Sequence, residues 1–179
     1  MKAIILTGYT SGLGSAIHDN LTSSRSKDKL IFIGRGDVRS TINNKKLYLK
    51  VDLSNLADVA LIKMDKYLQD VSEVVFINNA GTVKPICSIN DMKMRDFFQA
   101  TAVNYMSPVI LINKFKQSVE KMNIINISSG AALKPISYWS TYCSTKSAMR
   151  MYLDVFALEK DISVQHYDPG VMDTGMQKE

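Results

Sequence analysis

A chain of 179 residues, 46% hydrophobic and 22% charged, carries enough apolar material to bury about 70% of its unfolded surface, which excludes disordered and fibrous classes. No apolar run nears the roughly 20 residues of a membrane span, and the stretch after Lys2 is too short for a secretory signal. Cys87 and Cys143 are too few for a disulfide framework, so the expected setting is a reducing cytoplasm.

The elements alternate along the chain. Short apolar runs that read as strands occupy Ala3–Thr7, Leu30–Gly34, Leu47–Val51, Val74–Asn78, Ile124–Ser128 and Ser163–Tyr167. Several lack polar alternation, as expected of parallel strands covered on both faces. Helical patterns fill Leu13–Ser23, Leu56–Gln69, Met92–Glu120, divisible into two abutting helices, and Trp139–Glu159. Strand–helix alternation without a linker or repeat predicts one domain over residues 1–179, an α/β doubly wound parallel sheet with right-handed crossovers.

At the first strand's exit stands "TGYTSGLG", residues 7–14. Gly8 permits a tight exit, Gly12 lets backbone approach a phosphate, and Gly14 allows close helix packing, so the helix start suits a pyrophosphate. The second strand ends at Gly34 without a carboxylate and is followed by Arg35. An acid there would take the adenosine ribose hydroxyls, whereas a guanidinium accepts a 2′-phosphate, so the pattern favours NADP over NAD, with Asp37 as the counter-signal.

The net charge of +5 is concentrated here, with eight basic residues between Ser24 and Lys50 against Asp28 and Asp37. That cluster fits a solvated face, an anionic small ligand or nucleic acid, but no aromatic interleaving or nucleic-acid motif supports the last. Asp52 in "VDLS" reads as a helix-start residue ahead of Ser54 and Asn55.

"YCSTK", residues 142–146, sets Tyr142 and Lys146 four apart, adjacent on a helix. A fixed ammonium favours the phenolate, and together with a nicotinamide cation it would bring the tyrosine toward the range where it exchanges a proton with a carbonyl or alcohol. Pro108 has no N–H, so a helix through it leaves the Asn104 carbonyl free to accept a water, completing a proton relay from Lys146 to solvent. Trp139 is either core or a wall for an aromatic substrate. His18 and His166 are too far apart in pattern for a metal pair and read as structural, and no metal site is expected.

These motifs together resemble the short-chain dehydrogenase/reductase family. T-G-x-x-x-G-x-G, "NNAG" at 78–81, Asn104, "NISSGAA" at 126–132, "YCSTK" and "PGVMDT" at 169–174 occur in the family's order from Thr7 to Thr174. "INISSGAALKPISYWSTYCSTK" and "PGVMDTGMQ" are most similar to bacterial benzil reductases of the sepiapterin-reductase-like group.

The resemblance implies a Rossmann-type fold and a catalytic set of Asn104, Ser129, Tyr142 and Lys146. Ser129, not Ser128, would hold the substrate oxygen, and Lys146 would also bind the nicotinamide ribose. It implies cofactor contacts from Thr7, Gly8, Thr10, Ser11, Gly12, Leu13, Gly14, Arg35, Asp52, Leu53, Asn79, Ala80 and Gly81. Pro169, Gly170, Val171 and Thr174 would serve the nicotinamide end, and Asn79 would also tie the central strands.

The implied activity is NADP(H)-dependent reduction of a small ketone or diketone, by a homodimer or homotetramer with no nucleic-acid or membrane partner. The alternative is a non-catalytic NADP(H)-binding regulatory or redox-sensing protein. Relatives continue after this point with a substrate lid, a helix and a seventh strand. The 179 residues stop at "MQKE", so the lid is expected to be absent or truncated and the sixth strand to form a sheet edge.

Overall fold

Apolar runs rich in β-branched residues build the centre of the molecule. The computed structural model describes residues 1–24, 27–36, 45–159 and 162–170. Strands β1 (Lys2–Thr7), β2 (Lys29–Gly34), β3 (Lys46–Lys50), β4 (Glu73–Asn78), β5 (Lys121–Ile127) and β6 (Ser163–Tyr167) form one sheet in the order β3-β2-β1-β4-β5-β6. All five pairings are parallel, and β6 lies at an edge of the sheet. The order reverses between β1 and β4, which opens a crevice at the carboxyl ends of those strands, where ligands of such sheets bind.

Alternate side chains serve opposite faces. On one face Ala3, Ile5, Ile31, Ile33, Val74 and Phe76 meet Leu111, Phe115, Met149 and Leu153 in the larger core. Those partners lie on α5 (Ser107–Ser118) and α6 (Ser140–Glu159). On the other face Leu6, Phe32, Tyr48, Ile77 and Ile127 form a second core packed by α1 (Gly12–Ser23). Beside α1, over β4, β5 and β6, this face keeps a cavity of about 460 Å³ lined by Leu13, Ile17, Ile77, Ile125, Ile127 and Tyr167 among others.

One helical expectation changes, and the division of another into two abutting helices holds with a π turn between them. Leu56–Gln69 is not continuous: α2 (Leu56–Leu61) and α3 (Met64–Tyr67) are separated where Ile62 turns to extended backbone, φ −63° and ψ 117°, and packs against the core. Asn55 caps α2 by accepting from the Ala57 and Asp58 amides. Met92–Glu120 divides into α4 (Met94–Thr101), a π-helical turn over Ala102–Met106, and α5. Pro108 stands in the first turn of α5, and the Ser107 amide reaches back to the Ala102 carbonyl.

A row of polar side chains crosses the sheet beneath α6. The Asn78 amide donates to Asn126 Oδ1 at 2.9 Å, and the Asn126 amide donates to His166 Nδ1 at 3.1 Å. His166 Nε2 then lies 3.0 Å from Asp154 Oδ1 on α6. His18, on the other face, pairs with Tyr48 at 2.9 Å and Asp19 at 2.8 Å, so both histidines have structural partners. Among the described residues, no helix is long and apolar enough to cross a membrane.

Candidate active site

The glycine turn is shaped by what surrounds it. Gly8 has φ +70°, and a Cβ there would come 2.8 Å from the Ala80 Cα. A Cβ at Gly14 would come 1.9 Å from the Gly8 carbonyl oxygen and 2.5 Å from Asn79 Nδ2, so any side chain is incompatible with this packing.

Thr7 is fully buried, and its hydroxyl oxygen accepts from the Asn79 amide at 3.1 Å and the Ala80 amide at 3.0 Å. Asn79 Nδ2 donates in return to the Thr7 and Gly8 carbonyls at 2.9 and 3.0 Å. Thr7 and Asn79 therefore brace the two strand ends to each other, as the reading of Asn79 anticipated, and the threonine oxygen's acceptor capacity goes to that brace.

Ser11 precedes α1 in extended conformation with no side-chain cap, no acid occupies the first turn, and Gly12 has φ +53°. This leaves the positive end of the helix open to an anion. Thr10, Ser11 and Gly12 are exposed at the turn, while Leu13 is half-buried against the second core. The residues present thus fit a dinucleotide pyrophosphate.

Arg35 is exposed after β2. It contributes to holding the Asp52 carboxyl below its ordinary range, a shift led by the Ser54 amide hydrogen bond. Asp52 Oδ1 also accepts from the Ser54 hydroxyl at 2.8 Å, so that oxygen shapes the start of the α2 segment, the alternative already open in the sequence. Leu53 is 5% exposed and belongs to the larger core, and its carbonyl accepts from Ser107. An adenine contact by its side chain would have to come from this buried position. Asp37 lies outside the described residues. Of the basic cluster, Lys29 donates to the Tyr67 carbonyl and Lys46 to the Thr22 carbonyl, which accounts for part of it structurally.

At the other end of the crevice the chemical groups converge. Ser129 follows β5; its oxygen accepts from the Ala131 amide at 3.2 Å, and its hydroxyl lies on the side of the Tyr142 phenol, where it acts to lower the phenol's pKa. Ser128 is buried and its hydroxyl has no partner among the described residues.

Tyr142 and Lys146 lie in the first half of α6, each 8% exposed, with the ammonium 5.7 Å from the phenol ring centroid. Lys146 donates to the Ile127 carbonyl at 2.9 Å, and burial lowers its pKa to about 8. Burial pushes the Tyr142 phenol up, the Ser129 hydroxyl opposes that, and the Asp168 carboxylate and Cys143 add to the rise. Among this chain's own groups the phenol's burial, not Lys146, therefore leads the shift, and it keeps the phenol protonated at neutral pH.

Asn104 sits in the π turn, 3% exposed. Its Oδ1 accepts from the Thr82 amide at 2.8 Å, and its Nδ2 donates to the Thr82 carbonyl at 2.9 Å and to Thr145 Oγ1 at 3.1 Å. A Cβ at Gly81 would stand 3.4 Å from Asn104 Oδ1 and 3.5 Å from Lys146 Nζ, which puts these three residues side by side.

Asp168 approaches Gly130, and its Oδ1 accepts from the Gly170 amide at 3.0 Å, turning the chain through Pro169 toward the site. Val171 and Thr174 lie outside the described residues. The sequence reading missed Thr82, Thr145 and Asp168. Thr145 was readable in principle, being the residue before Lys146 and on the same buried side of the helix, whereas the Thr82 contact depends on tertiary packing.

The family model described as short chain dehydrogenase matches residues 2–179. A benzil reductase ((S)-benzoin forming) of Bacillus subtilis (strain 168) is 31% identical over 99% of this chain and 77% of its own length. The sepiapterin reductase of Rattus norvegicus is 29% identical over 97% of this chain and 75% of its own. The crystal structure of a short-chain dehydrogenase/reductase from Burkholderia vietnamiensis superposes with a TM-score of 0.85 at 26% identity, covering 97% of this chain and 85% of that one.

Proposed function

The chain belongs to the short-chain dehydrogenase family, and we propose that within it the protein is a single-domain, NADPH-dependent reductase of ketones or vicinal diketones, aryl ones included. The observation that carries this reading is the buried Tyr142 with the Lys146 ammonium 5.7 Å from its ring and the half-buried Ser129 hydroxyl on the same side, at the mouth of the crevice.

The residues that would hold the dinucleotide are the Gly8–Gly14 turn, Asn79–Gly81 and Lys146, with Arg35 at the 2′-phosphate. When bound, the reduced nicotinamide supplies a hydride to the carbonyl carbon. Ser129 orients the carbonyl oxygen by donating a hydrogen bond. Tyr142, protonated at neutral pH, gives its proton to that oxygen as the alcohol forms. Lys146 balances the phenolate left behind, and Asn104 fixes the Thr82 segment and offers its backbone carbonyl to the relay that returns the proton. Proton transfer by a placed side chain contributes about 10²–10⁴-fold to such a rate.

Large apolar side chains on α4 and α6, among them Phe98 at 62% and Leu158 at 89% exposure, support self-association into a homodimer or homotetramer. The two free thiols support a reducing compartment, the cytoplasm.

The test follows cofactor absorbance while the protein is mixed with benzil and other diketones and either NADPH or NADH. The expected result is faster oxidation of NADPH, a preference that narrows in Arg35→Ala, and loss of about 10²-fold or more of turnover in Tyr142→Phe. NADPH binding without oxidation across the panel would replace this reading with a nucleotide-binding regulatory role, and full activity in Tyr142→Phe would remove the tyrosine from the mechanism.

A further inference from the structure

Tyr138 is the one non-glycine residue with positive φ among the described residues, at 67°. Bulky side chains avoid this region, and such residues persist only where surrounding contacts enforce them. The enforcing contacts are on either side. The Tyr138 carbonyl accepts from the Cys87 amide at 3.1 Å, which joins the loop after β4 to the loop after β5. The next residue, Trp139, sets its ring edge-on to Tyr142 at 5.6 Å and 83°, and its carbonyl accepts from the Cys143 amide at 2.8 Å.

The backbone reversal thus lets Trp139 pack against the proton donor while the Tyr138 ring stays 61% exposed. Ile86, Leu133 and Ile136 on the same two loops are also left open, at 45%, 68% and 40%. These four apolar side chains are left open on two loops that the Cys87–Tyr138 hydrogen bond joins next to Tyr142, where an apolar ligand group could cover them.

We infer that Tyr138 is a specificity-determining residue: with Ile86, Leu133 and Ile136 it forms an apolar rim that takes the aryl group of a carbonyl substrate whose oxygen lies at Ser129 and Tyr142. The inference rests on the ketone-reductase reading for its choice of ligand, yet its first readout needs no turnover. Asparagine tolerates the left-handed backbone, so Tyr138→Asn removes the ring and keeps the turn, while Tyr138→Phe keeps the ring.

Trp139 is the only tryptophan of the sequence, so its fluorescence reports binding at this spot directly. Benzil, titrated with NADP present so that no reduction occurs, should quench it. Tyr138→Asn should weaken benzil binding about tenfold, the worth of part of one ring's burial, with a melting temperature equal to or above the parent's. Tyr138→Phe should restore the affinity. In turnover, Tyr138→Asn should lower the ratio of kcat/KM for benzil over diacetyl, a diketone without rings, by a similar factor.

Benzil binding equally tight in Tyr138→Asn, absent in the parent, or weakened together with a fallen melting temperature would each overturn the inference. Ring-dependent binding of benzil by a protein that reduces no ketone would sink the reductase reading and leave the rim standing.

Discussion

Replacing Thr7 with valine deletes one oxygen and changes almost no volume, yet it removes the acceptor of two amides. The Asn79 and Ala80 N–H groups lie 3.1 and 3.0 Å from that oxygen, and Thr7 itself is fully buried. Each orphaned buried donor costs about 1–3 kcal/mol, and because residues 79 and 80 are half-buried the lower part of that range applies, giving about 2–3 kcal/mol together. For a chain of this length each kcal/mol moves the melting temperature by about 2–4 °C, so the midpoint should fall by about 4–12 °C.

Thr7→Ser is the control, keeping the oxygen and losing a methyl worth about 1 kcal/mol. Thermal and urea unfolding followed by circular dichroism would rank the three proteins. A valine variant no less stable than the serine variant refutes the brace, and with it the claim that this oxygen holds the two amides before any dinucleotide arrives. Since the same amides fix the Gly8–Ala80 contact, the valine variant should also bind NADPH more weakly.

Lys146 makes stability depend on pH. Its folded pKa of about 8 lies below its free value of 10.5, so between those values the unfolded chain holds more protons than the folded one, and stability rises with pH through that window. The difference in unfolding free energy between the parent and Lys146→Met should therefore grow over roughly pH 8 to 10.5; a flat difference would contradict the burial of the cation. Pro108→Ala should let the π turn tighten and shift the pH dependence of kcat, because a new amide would then compete for the Asn104 carbonyl. An unchanged profile and turnover would exclude that carbonyl from proton return.

The sheet was legible because its signal is local. Runs such as "LIFIG" and "VVFIN" have no polar face to offer solvent, and each became a strand within three residues of the expected ends. The helices were less so, since Ile62 leaves helical geometry for a tertiary reason, its packing on the core, that no propensity announces.

At the site, Tyr142, Lys146 and Ser129 could be paired from spacing and family order, but the sign of the phenol's shift could not. Spacing shows the ammonium nearby and is silent on how much water both groups lose. The left-handed backbone of Tyr138 leaves no trace either, because tyrosine is among the residues least expected there.

The cross-sheet row from Asn78 to Asp154 also acts as a ruler. Parallel strands of uniform apolar residues tolerate misalignment, since one isoleucine replaces another at little expense. Displace β5 by a single position and Asn126 turns to the opposite face, leaving Asn78 and His166 without their shared partner beneath α6. Three polar side chains thereby give an otherwise interchangeable hydrophobic lattice one admissible alignment, and that alignment fixes where the Ser129 turn emerges relative to the helix bearing Tyr142.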